Sequence, residues 1–327
     1  MKIIHGIKNL SKTEQNQIIA LGFFDGIHKG HQALIREAER ISLTFPDSPS
    51  ILVYTFNKHP LEIINPEKAP FLLTTLEEKI EMLEKLQVDL LLIGEFNETI
   101  ANLSPKDFLK KIVCEQLKAR QVITGFNYRY GKGHKGNVET LVKDGESLGF
   151  PVSVVSAIVL DGEPVSSTRI RNLISSGSVE EAARLLGRNY SLTGIVTQGE
   201  GRGRNLGFPT ANLHINYRKL LPKIGIYAGT AKIKEETPES NTYKNQEWMV
   251  AISIGKRPTF NGKQIVVEAH LLNYSGNLYG KKIEVELFKR IRDEEKFSSP
   301  EALTKKMEED VALVRDFLGL HDSEKRC

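Results

Sequence analysis

The spacing of the apolar runs constrains this chain more than any other feature, and it changes near residue 187. Before that point, helical patterns separate short β-branched runs, which lie at 17–22, 51–56, 88–94, 121–126 and 153–155. Such near-continuous apolar runs are typical of parallel strands that are buried on both faces. Their alternation with helices predicts an open α/β sheet for roughly the first half of the chain.

The helical patterns carry recognisable start and stop residues. Ser104 followed by Pro105 has the form of a helix cap with proline in the first turn. Ser178 and Glu181 have the spacing of a capping box, and Gly187 is placed to end that helix. The apolar residues that repeat at helical spacing are Leu34, Ala38 and Ile41; Leu76, Ile80, Leu83 and Leu86; and Phe108, Ile112 and Leu117.

The second half of the chain has a different pattern. From Tyr190 to about Phe288, strand-like runs follow one another with turn residues between them and without intervening helices. This pattern predicts an antiparallel barrel or sandwich. A final amphipathic helix begins at a serine–proline pair and closes the chain. The predicted domains are therefore 1–187 and 188–327.

Composition agrees with two ordinary globular cores. The chain has 327 residues, of which 40% are hydrophobic and 26% charged, and its formal net charge of +4 suits a protein that handles phosphates. Its two cysteines, Cys114 and Cys327, make a disulfide framework improbable and fit a reducing compartment. We expect a soluble cytoplasmic protein, because no apolar run approaches the roughly 20 residues of a membrane span and the N-terminus does not resemble a signal peptide.

The stretch LGFFDGIHKGHQALI, residues 21–35, places His28 and His31 on either side of Gly30, where a strand ends and a helix begins. At such a junction the backbone N–H groups and the helix dipole favour an anion. Two imidazoles there can stabilise charge on a phosphoryl group under attack, and Gly30 lets the backbone approach closely. For these residues alone, a solvated helix start is the alternative.

Two stretches, GFFDGIHKGH at 22–31 and SSTRIR at 166–171, resemble the HxGH nucleotidyltransferases, which adenylate phosphate-bearing substrates with ATP. The resemblance implies a Rossmann-like α/β domain with His28 and His31 as catalytic residues. It also implies that two arginines clamp the triphosphate. The ATP and phosphate contacts that follow from it in this domain are Gly22, Phe24, Asp25, Gly30, His59, Ser167, Thr168, Arg169 and Arg171.

Two further stretches, YTFNKHP at 54–60 and GFNYRYGKGHKGN at 125–137, are similar to the bacterial FAD synthetases. The resemblance makes Asn127, Tyr128 and Tyr130 candidate flavin contacts. Asn127 stands where many relatives have aspartate, and the two tyrosines stand where phenylalanines are usual. We expect these substitutions to alter flavin packing or rate.

The stretch GEGRGRNLGFPTANL, residues 199–213, opens the second domain. It matches neither a Walker loop nor the GxGxxG fingerprint. Its glycines permit a tight backbone cradle for phosphates, and a glycine-rich hairpin is the alternative for GEGRG alone. Thr210 and Asn212 alternate along an extended segment, so their oxygens face one side and suit a hard cation. The candidate ATP contacts here are Gly201, Arg202, Gly203 and Gly207.

This stretch resembles the riboflavin kinase signature, with supporting matches at 225–229, 254–260 and 267–280. The resemblance implies that Thr210 and Asn212 hold Mg²⁺ and that Glu268 takes the proton from the ribityl 5′-hydroxyl. A carboxylate suits that role, because phosphoryl transfer needs mainly positioning and charge neutralisation.

The two motif sets stand in the order of the bifunctional riboflavin kinase/FAD synthetase family. The resemblance implies a transferase that makes FMN from riboflavin and then FAD from FMN, using ATP and Mg²⁺. The expected partners are ATP, riboflavin and FMN, with no nucleic acid and no membrane, and the oligomeric state is open. Two alternatives remain: a riboflavin kinase with an inactive or regulatory N-terminal domain, and a flavin-sensing or RNA-binding regulator.

Overall fold

A computed structural model describes residues 1–199, 203, 206–234, 246–259 and 262–324, without the side chains at 257–259, 262–264 and 320–324. The chain divides into two compact units, the first of which is Met1–Ser167 and the second of which begins at Thr168. Each unit is described by itself below.

The first unit is built on a parallel sheet whose strands are β1 Lys2–His5, β2 Ile18–Leu21, β3 Ile51–Phe56, β4 Leu90–Gly94, β5 Gln121–Gly125 and β6 Val152–Val155. Their spatial order is β1-β4-β3-β2-β5-β6, and every pairing is parallel. A small antiparallel pair follows, β7 Val159–Leu160 with β8 Glu163–Pro164. The predicted parallel sheet is confirmed, whereas β1 was not predicted, because only Ile4 of its four residues is buried.

Helices connect these strands. They are α1 Lys29–Ser42, α2 Leu61–Ile64, α3 Leu76–Lys85, α4 Glu98–Ala101, α5 Pro105–Asp107 and α6 Val138–Leu148, with 3-10 turns at Ile7–Asn9, Lys12–Glu14, Pro66–Lys68 and Lys132–His134. The predicted cap at Ser104 is confirmed, since its hydroxyl accepts a hydrogen bond from the Asp107 N–H at 3.1 Å. The chain then continues from α5 as a π-helix, Phe108–Gln116.

Alternate residues of each strand point to opposite faces of the sheet, and a hydrophobic core lies on each face. Leu21 and Tyr54 belong to the core that the Phe108–Gln116 helix covers, and Ala20 and Val53 belong to the core that α1 covers. Both faces are therefore occupied, and the open position for ligands is the edge where the strands end.

The second unit contains a closed antiparallel barrel of the strands β9 Tyr190–Thr197, β10 Ala211–Ile215, β11 Gly225–Ile233, β12 Trp248–Thr259, β13 Gly262–Leu271 and β14 Lys282–Arg292. The order around the barrel is β10-β13-β12-β11-β14-β9. Closure leaves no unpaired edge in the sheet. The last helix, α9 Pro300–Glu324, packs Val314 and Leu318 against Ala228 and Leu272. The prediction of a barrel or sandwich is thus resolved as a barrel with a C-terminal helix.

Two helices, α7 Ser167–Ser176 and α8 Val179–Leu186, precede the barrel. The Lys223 N–H donates to the Ile174 carbonyl at 3.2 Å, so most of α7 groups with the barrel unit. This packing explains why the compact units divide ahead of the predicted boundary at 187. The predicted capping box is wrong, because the Ser178 hydroxyl makes no cap bond and lies 3.3 Å from the Ser176 hydroxyl. Gly187, with a left-handed φ of 74°, ends α8 as predicted.

Across the described ranges, the helices are all too short or too polar to cross a lipid bilayer.

Candidate active sites

The paired imidazoles lie at the start of α1. His28 is the N-cap residue, and its Nδ1 accepts a hydrogen bond from the His31 N–H at 3.4 Å. The two rings stack, with centroids 3.7 Å apart and planes inclined by 16°. A Cβ atom on Gly30 would approach the His28 ring to 3.0 Å, so a larger residue would crowd the stacked ring. The predicted pair therefore faces the same helix N-terminus.

The turn at residues 23–27, which leads to His28, is anchored by buried side chains. Phe24 is fully buried, and the carboxylate of Asp25, 2% exposed, accepts hydrogen bonds from the backbone N–H groups of Leu73 and Thr74 at 3.0 and 3.1 Å. Both residues were predicted to contact phosphate. Their side chains point into the protein instead, so a phosphate contact from either residue has to come from its backbone. Gly22 precedes the turn, and a Cβ there would meet the Phe24 ring at 2.9 Å.

The SSTRIR stretch reaches this turn through Ser167. The Ser167 hydroxyl donates to the Asp25 carbonyl at 2.9 Å, and α7 begins at Ser167. Thr168, Arg169 and Arg171 follow in α7 and belong to the second unit.

His59 lies at the same edge of the sheet, just after β3. Its Nδ1 accepts a hydrogen bond from the Leu61 N–H at 3.1 Å, and its ring meets the Phe23 ring edge-on at 4.8 Å. The backbone bond fixes the orientation of the imidazole, which places His59 beside the turn that carries His28.

An aromatic cavity opens next to these residues. The Tyr128 and Tyr130 rings stack in its wall, 5.8 Å apart, and burial raises the pKa of the Tyr128 phenol. Asn127 is exposed and lies outside the lining. Sequence reasoning missed Phe23, Tyr54, Phe56, Phe96 and Phe108 of this cavity, although Phe23, Phe56 and Phe96 stand at or just after strand ends, where α/β ligand sites form. The residues that line it include Tyr54, Phe56, Phe96, Phe108, Tyr128, Arg129, Tyr130 and His134.

A second cavity, of about 580 Å³, lies in the barrel unit. Strand register brings its polar residues together, because Glu268 of β13 pairs with Asn212 of β10 on one side and with Ser253 of β12 on the other. The Thr210 hydroxyl donates to the Glu268 carboxylate at 3.3 Å. His270 also lines the cavity, with Nδ1 2.9 Å from the Pro209 carbonyl. The structure therefore brings Thr210, Asn212 and Glu268 onto one cavity.

The glycine-rich stretch is described in part. Gly203 lines the same cavity, and the close Phe208 carbonyl leaves no room for a Cβ there. Gly207 has a left-handed φ of +85°. The predicted contacts Gly201 and Arg202 lie outside the described residues.

The far wall of the barrel cavity comes from α9 and the end of β14, and sequence reasoning missed it. Arg292 donates from Nε and Nη2 to the two carboxylate oxygens of Asp310 at 2.8 and 2.7 Å. This hydrogen-bonded partner raises the pKa of Arg292. Phe297, Leu303 and Met307 supply apolar surface beside the ion pair. No local motif signals this wall, because its residues belong to separate elements.

A third cavity, of about 440 Å³, shares Thr210 with the second. The turn after β13 forms much of its lining, through Tyr274, Asn277 and Tyr279. Two cavities of the barrel unit thus border the same residue, Thr210.

Comparison with known proteins shows a two-domain transferase. Residues 10–169 match the FAD synthetase family, and residues 186–318 match the riboflavin kinase family. The chain belongs to the bifunctional riboflavin kinase/FMN adenylyltransferase family.

Individual relatives cover nearly the whole chain. The bifunctional riboflavin kinase/FMN adenylyltransferase of Bacillus subtilis is 36% identical over 328 residues, which cover 98% of this chain and 99% of the relative. The protein of the same name from Buchnera aphidicola subsp. Schizaphis graminum is 35% identical, with 98% and 100% covered. A crystal structure described as a macrolide-efflux protein from Streptococcus pneumoniae is similar with a TM-score of 0.84 and 30% identity, and the match covers 96% of this chain and 99% of that one.

These matches confirm the predicted family and its two domain types. Because both family regions are present, a riboflavin kinase with an inactive N-terminal domain is not favoured.

Proposed function

We propose that this chain phosphorylates riboflavin to FMN in its barrel and adenylates FMN to FAD in its α/β domain, with ATP as the donor in both reactions. The observation that carries this proposal is the convergence of Thr210, Asn212 and Glu268 on one cavity of a chain that matches both families. We assign adenylation to 1–187 and phosphorylation to 188–327. A cytoplasmic location with small-molecule partners fits both activities.

In the kinase step, Glu268 accepts the proton of the ribityl 5′-hydroxyl as that oxygen bonds to the γ-phosphorus of ATP and the bond to the β-phosphate oxygen breaks. The Thr210 hydroxyl, 3.3 Å from the carboxylate, orients the base. The cavity with Phe297, Leu303 and Met307 suits the flavin ring, and the cavity beside Tyr274 suits the nucleotide. Their meeting at Thr210 supports direct in-line transfer between the two substrates.

The donor atoms fit Mg²⁺. Thr210 and Asn212 offer hydroxyl and amide oxygens, which are hard ligands, and the described residues contain no group of three histidine, cysteine or acidic side chains for an all-protein cage. Mg²⁺ is commonly held by one or two protein oxygens together with substrate phosphates. When bound, it supplies charge neutralisation to the transferring phosphoryl group. Gly203 and Gly207, with Gly201 and Arg202, are the proposed phosphate cradle.

In the adenylation step, a phosphate oxygen of FMN bonds to the α-phosphorus of ATP, and the anhydride bond breaks to release pyrophosphate. His28 and His31 stabilise the charge that builds on the α-phosphate, and the N-terminus of α1 adds its dipole. Gly30 permits the close approach. The remaining proposed ATP and phosphate contacts are Gly22, Phe24, Asp25, His59, Ser167, Thr168, Arg169 and Arg171.

The aromatic cavity beside this turn suits the isoalloxazine ring of FMN. Flat apolar walls that include Phe56, Phe108 and Tyr128 favour a planar aromatic ligand. Arg129 in the same lining adds positive charge for the phosphate-bearing form. Tyr128 and Tyr130 are therefore proposed flavin contacts, and Asn127, which precedes Tyr128 in the chain, is proposed as a further contact.

A chromatographic time course with riboflavin, ATP and Mg²⁺ tests the proposal, and FMN is expected first, followed by FAD. Glu268→Gln should lower FMN formation by at least about 100-fold and leave the conversion of added FMN to FAD intact. A His28→Ala, His31→Ala variant should do the reverse, so each variant serves as the folding control for the other. A wild-type chain that makes no FAD from FMN would refute the adenylation half.

A further inference from the structure

We propose that Thr74 and Lys79 are positioning residues of the adenylation site, holding in place the turn that carries His28 and His31. This inference rests on the proposed adenylyl transfer. Neither residue belongs to the motifs that the sequence analysis singled out. Thr74 lies in the segment that links β3 to α3, and Lys79 lies in α3 itself.

Two residues of the turn, Phe24 and Ile27, adopt backbone angles that their side chains disfavour. Phe24 and Ile27 have φ values of 55° and 39°, and Gly26 has 85°. A left-handed conformation is uncommon for a side-chain-bearing residue and is a genuine outlier for a β-branched one. Such angles persist only where the surrounding structure determines them, and they cluster at functional sites. The position of His28 directly after Ile27 makes the imidazoles depend on this turn.

Thr74 clamps the middle of the turn. Its hydroxyl accepts a hydrogen bond from the Gly26 N–H at 3.0 Å and donates to the Asp25 carboxylate at 3.2 Å. Its own N–H donates to the same carboxylate at 3.1 Å. Thr74 is 2% exposed, so water does not compete for these bonds.

Lys79 clamps the start of the turn. Its side chain is 3% exposed, and Nζ donates to the Phe23 carbonyl at 2.6 Å and to the Thr55 hydroxyl at 3.4 Å. The ammonium also lies 4.0 Å from the centroid of the Phe23 ring. Thr55 donates to the same carbonyl at 2.9 Å, so two donors fix this backbone oxygen.

Burying the charged ammonium of Lys79 costs desolvation free energy. Burial lowers the pKa of its ammonium to about 8, and the Asp25 carboxylate opposes that shift. Asp25 faces it from the turn, and His59 packs on the Phe23 ring that the ammonium also contacts. A methionine fills a similar volume without this desolvation. Packing alone would be satisfied by methionine, so we attribute the ammonium to its hydrogen bond with the Phe23 carbonyl in the turn.

The test uses the full chain with Lys79→Met and Thr74→Val, and Lys85→Met as the matched control, because Lys85 is exposed on the same helix. FAD formation from FMN and ATP is measured beside riboflavin phosphorylation, circular dichroism and thermal unfolding. Misplaced catalytic groups should lower the adenylation kcat by about 100-fold while the KM for FMN changes little. Riboflavin phosphorylation should stay within about twofold of the wild type.

The pH profile separates positioning from a purely structural role. Loss of the Lys79 proton removes the charge over the Phe23 ring and weakens the bond to its carbonyl, so the wild-type adenylation rate should fall above about pH 8. Lys79→Met should lack that fall.

Two outcomes would overturn the inference. One is an adenylation kcat in both variants within about twofold of Lys85→Met. The other is a loss of folded structure in both variants that parallels the loss of activity, because the residues would then hold the domain. A wild-type chain that makes no FAD would instead refute the proposed function.

Discussion

Replacing Asp310 with asparagine should loosen α9 from the barrel and open the far wall of the barrel cavity. Asp310 and Arg292 are largely removed from solvent, with 6% and 14% of their side chains exposed. Two hydrogen bonds of 2.8 and 2.7 Å join them in a bidentate pair. The substitution leaves the guanidinium with one amide oxygen in place of a carboxylate.

The structure sets the size of this effect. Removing one partner of a buried ion pair costs about 3–5 kcal/mol, because the remaining charge is uncompensated. An exposed pair contributes about 0–1 kcal/mol. Asp310→Asn keeps one amide contact, so it should lower the free energy of unfolding by an amount near the lower end of that range, about 3 kcal/mol. This corresponds to a roughly hundredfold smaller folding equilibrium constant. Replacing both residues, as in Arg292→Met with Asp310→Leu, should return stability to near the wild-type value.

Urea unfolding followed by tryptophan fluorescence measures this effect. The chain has one tryptophan, Trp248, which is 6% exposed in β12, so its emission reports on the barrel unit. Asp316→Asn is the matched control, since Asp316 is exposed on the same helix. The reasoning is refuted if Asp310→Asn and Asp316→Asn differ by less than about 1 kcal/mol.

Three further results are expected. Glu268→Gln should lower riboflavin phosphorylation by at least about 100-fold in a coupled ADP assay, and a near-normal rate would remove Glu268 as the base. Tyr128→Ala should raise the KM for FMN in adenylation more than Tyr128→Phe does, because the ring forms the cavity wall; equal values for the two variants would contradict that assignment. The pKa of Lys79 is about 8 in the folded protein and about 10.5 in the unfolded chain, so between these pH values only the unfolded chain holds the proton. The free energy of unfolding should therefore rise with pH across this range, by up to about 3 kcal/mol. Calorimetry of wild type against Lys79→Met should show this rise, and parallel curves would argue against a buried ammonium.

Local periodicity was sufficient to predict most elements of the fold. Leu34, Ala38 and Ile41 lie on the buried face of α1, as their helical spacing predicts. Period-two alternation similarly placed Thr210 and Asn212 on one cavity. These predictions succeed because side-chain direction repeats every 3.6 residues in a helix and every two in a strand, whatever the rest of the chain does.

Periodicity could not predict where side chains in loops point. Asp25 sits in a conspicuous motif, and the family resemblance made it a candidate phosphate contact. Its carboxylate instead accepts hydrogen bonds from Leu73 and Thr74, almost fifty positions along the chain. A loop residue has no fixed periodicity, so the groups that reach it from elsewhere decide where it points.

The sequence by itself determined the two domain types, the helix start with paired histidines, and the strand that carries Glu268, because each depends on residues close together in the chain. Only the tertiary structure decided which distant residues complete the sites. Lys79 beneath the turn, the aromatic wall that includes Tyr54 and Phe96, and the Arg292–Asp310 pair all depend on strand order and packing. Those contacts form where burial and hydrogen bonding across the whole fold are jointly satisfied, and no short stretch of sequence contains that information.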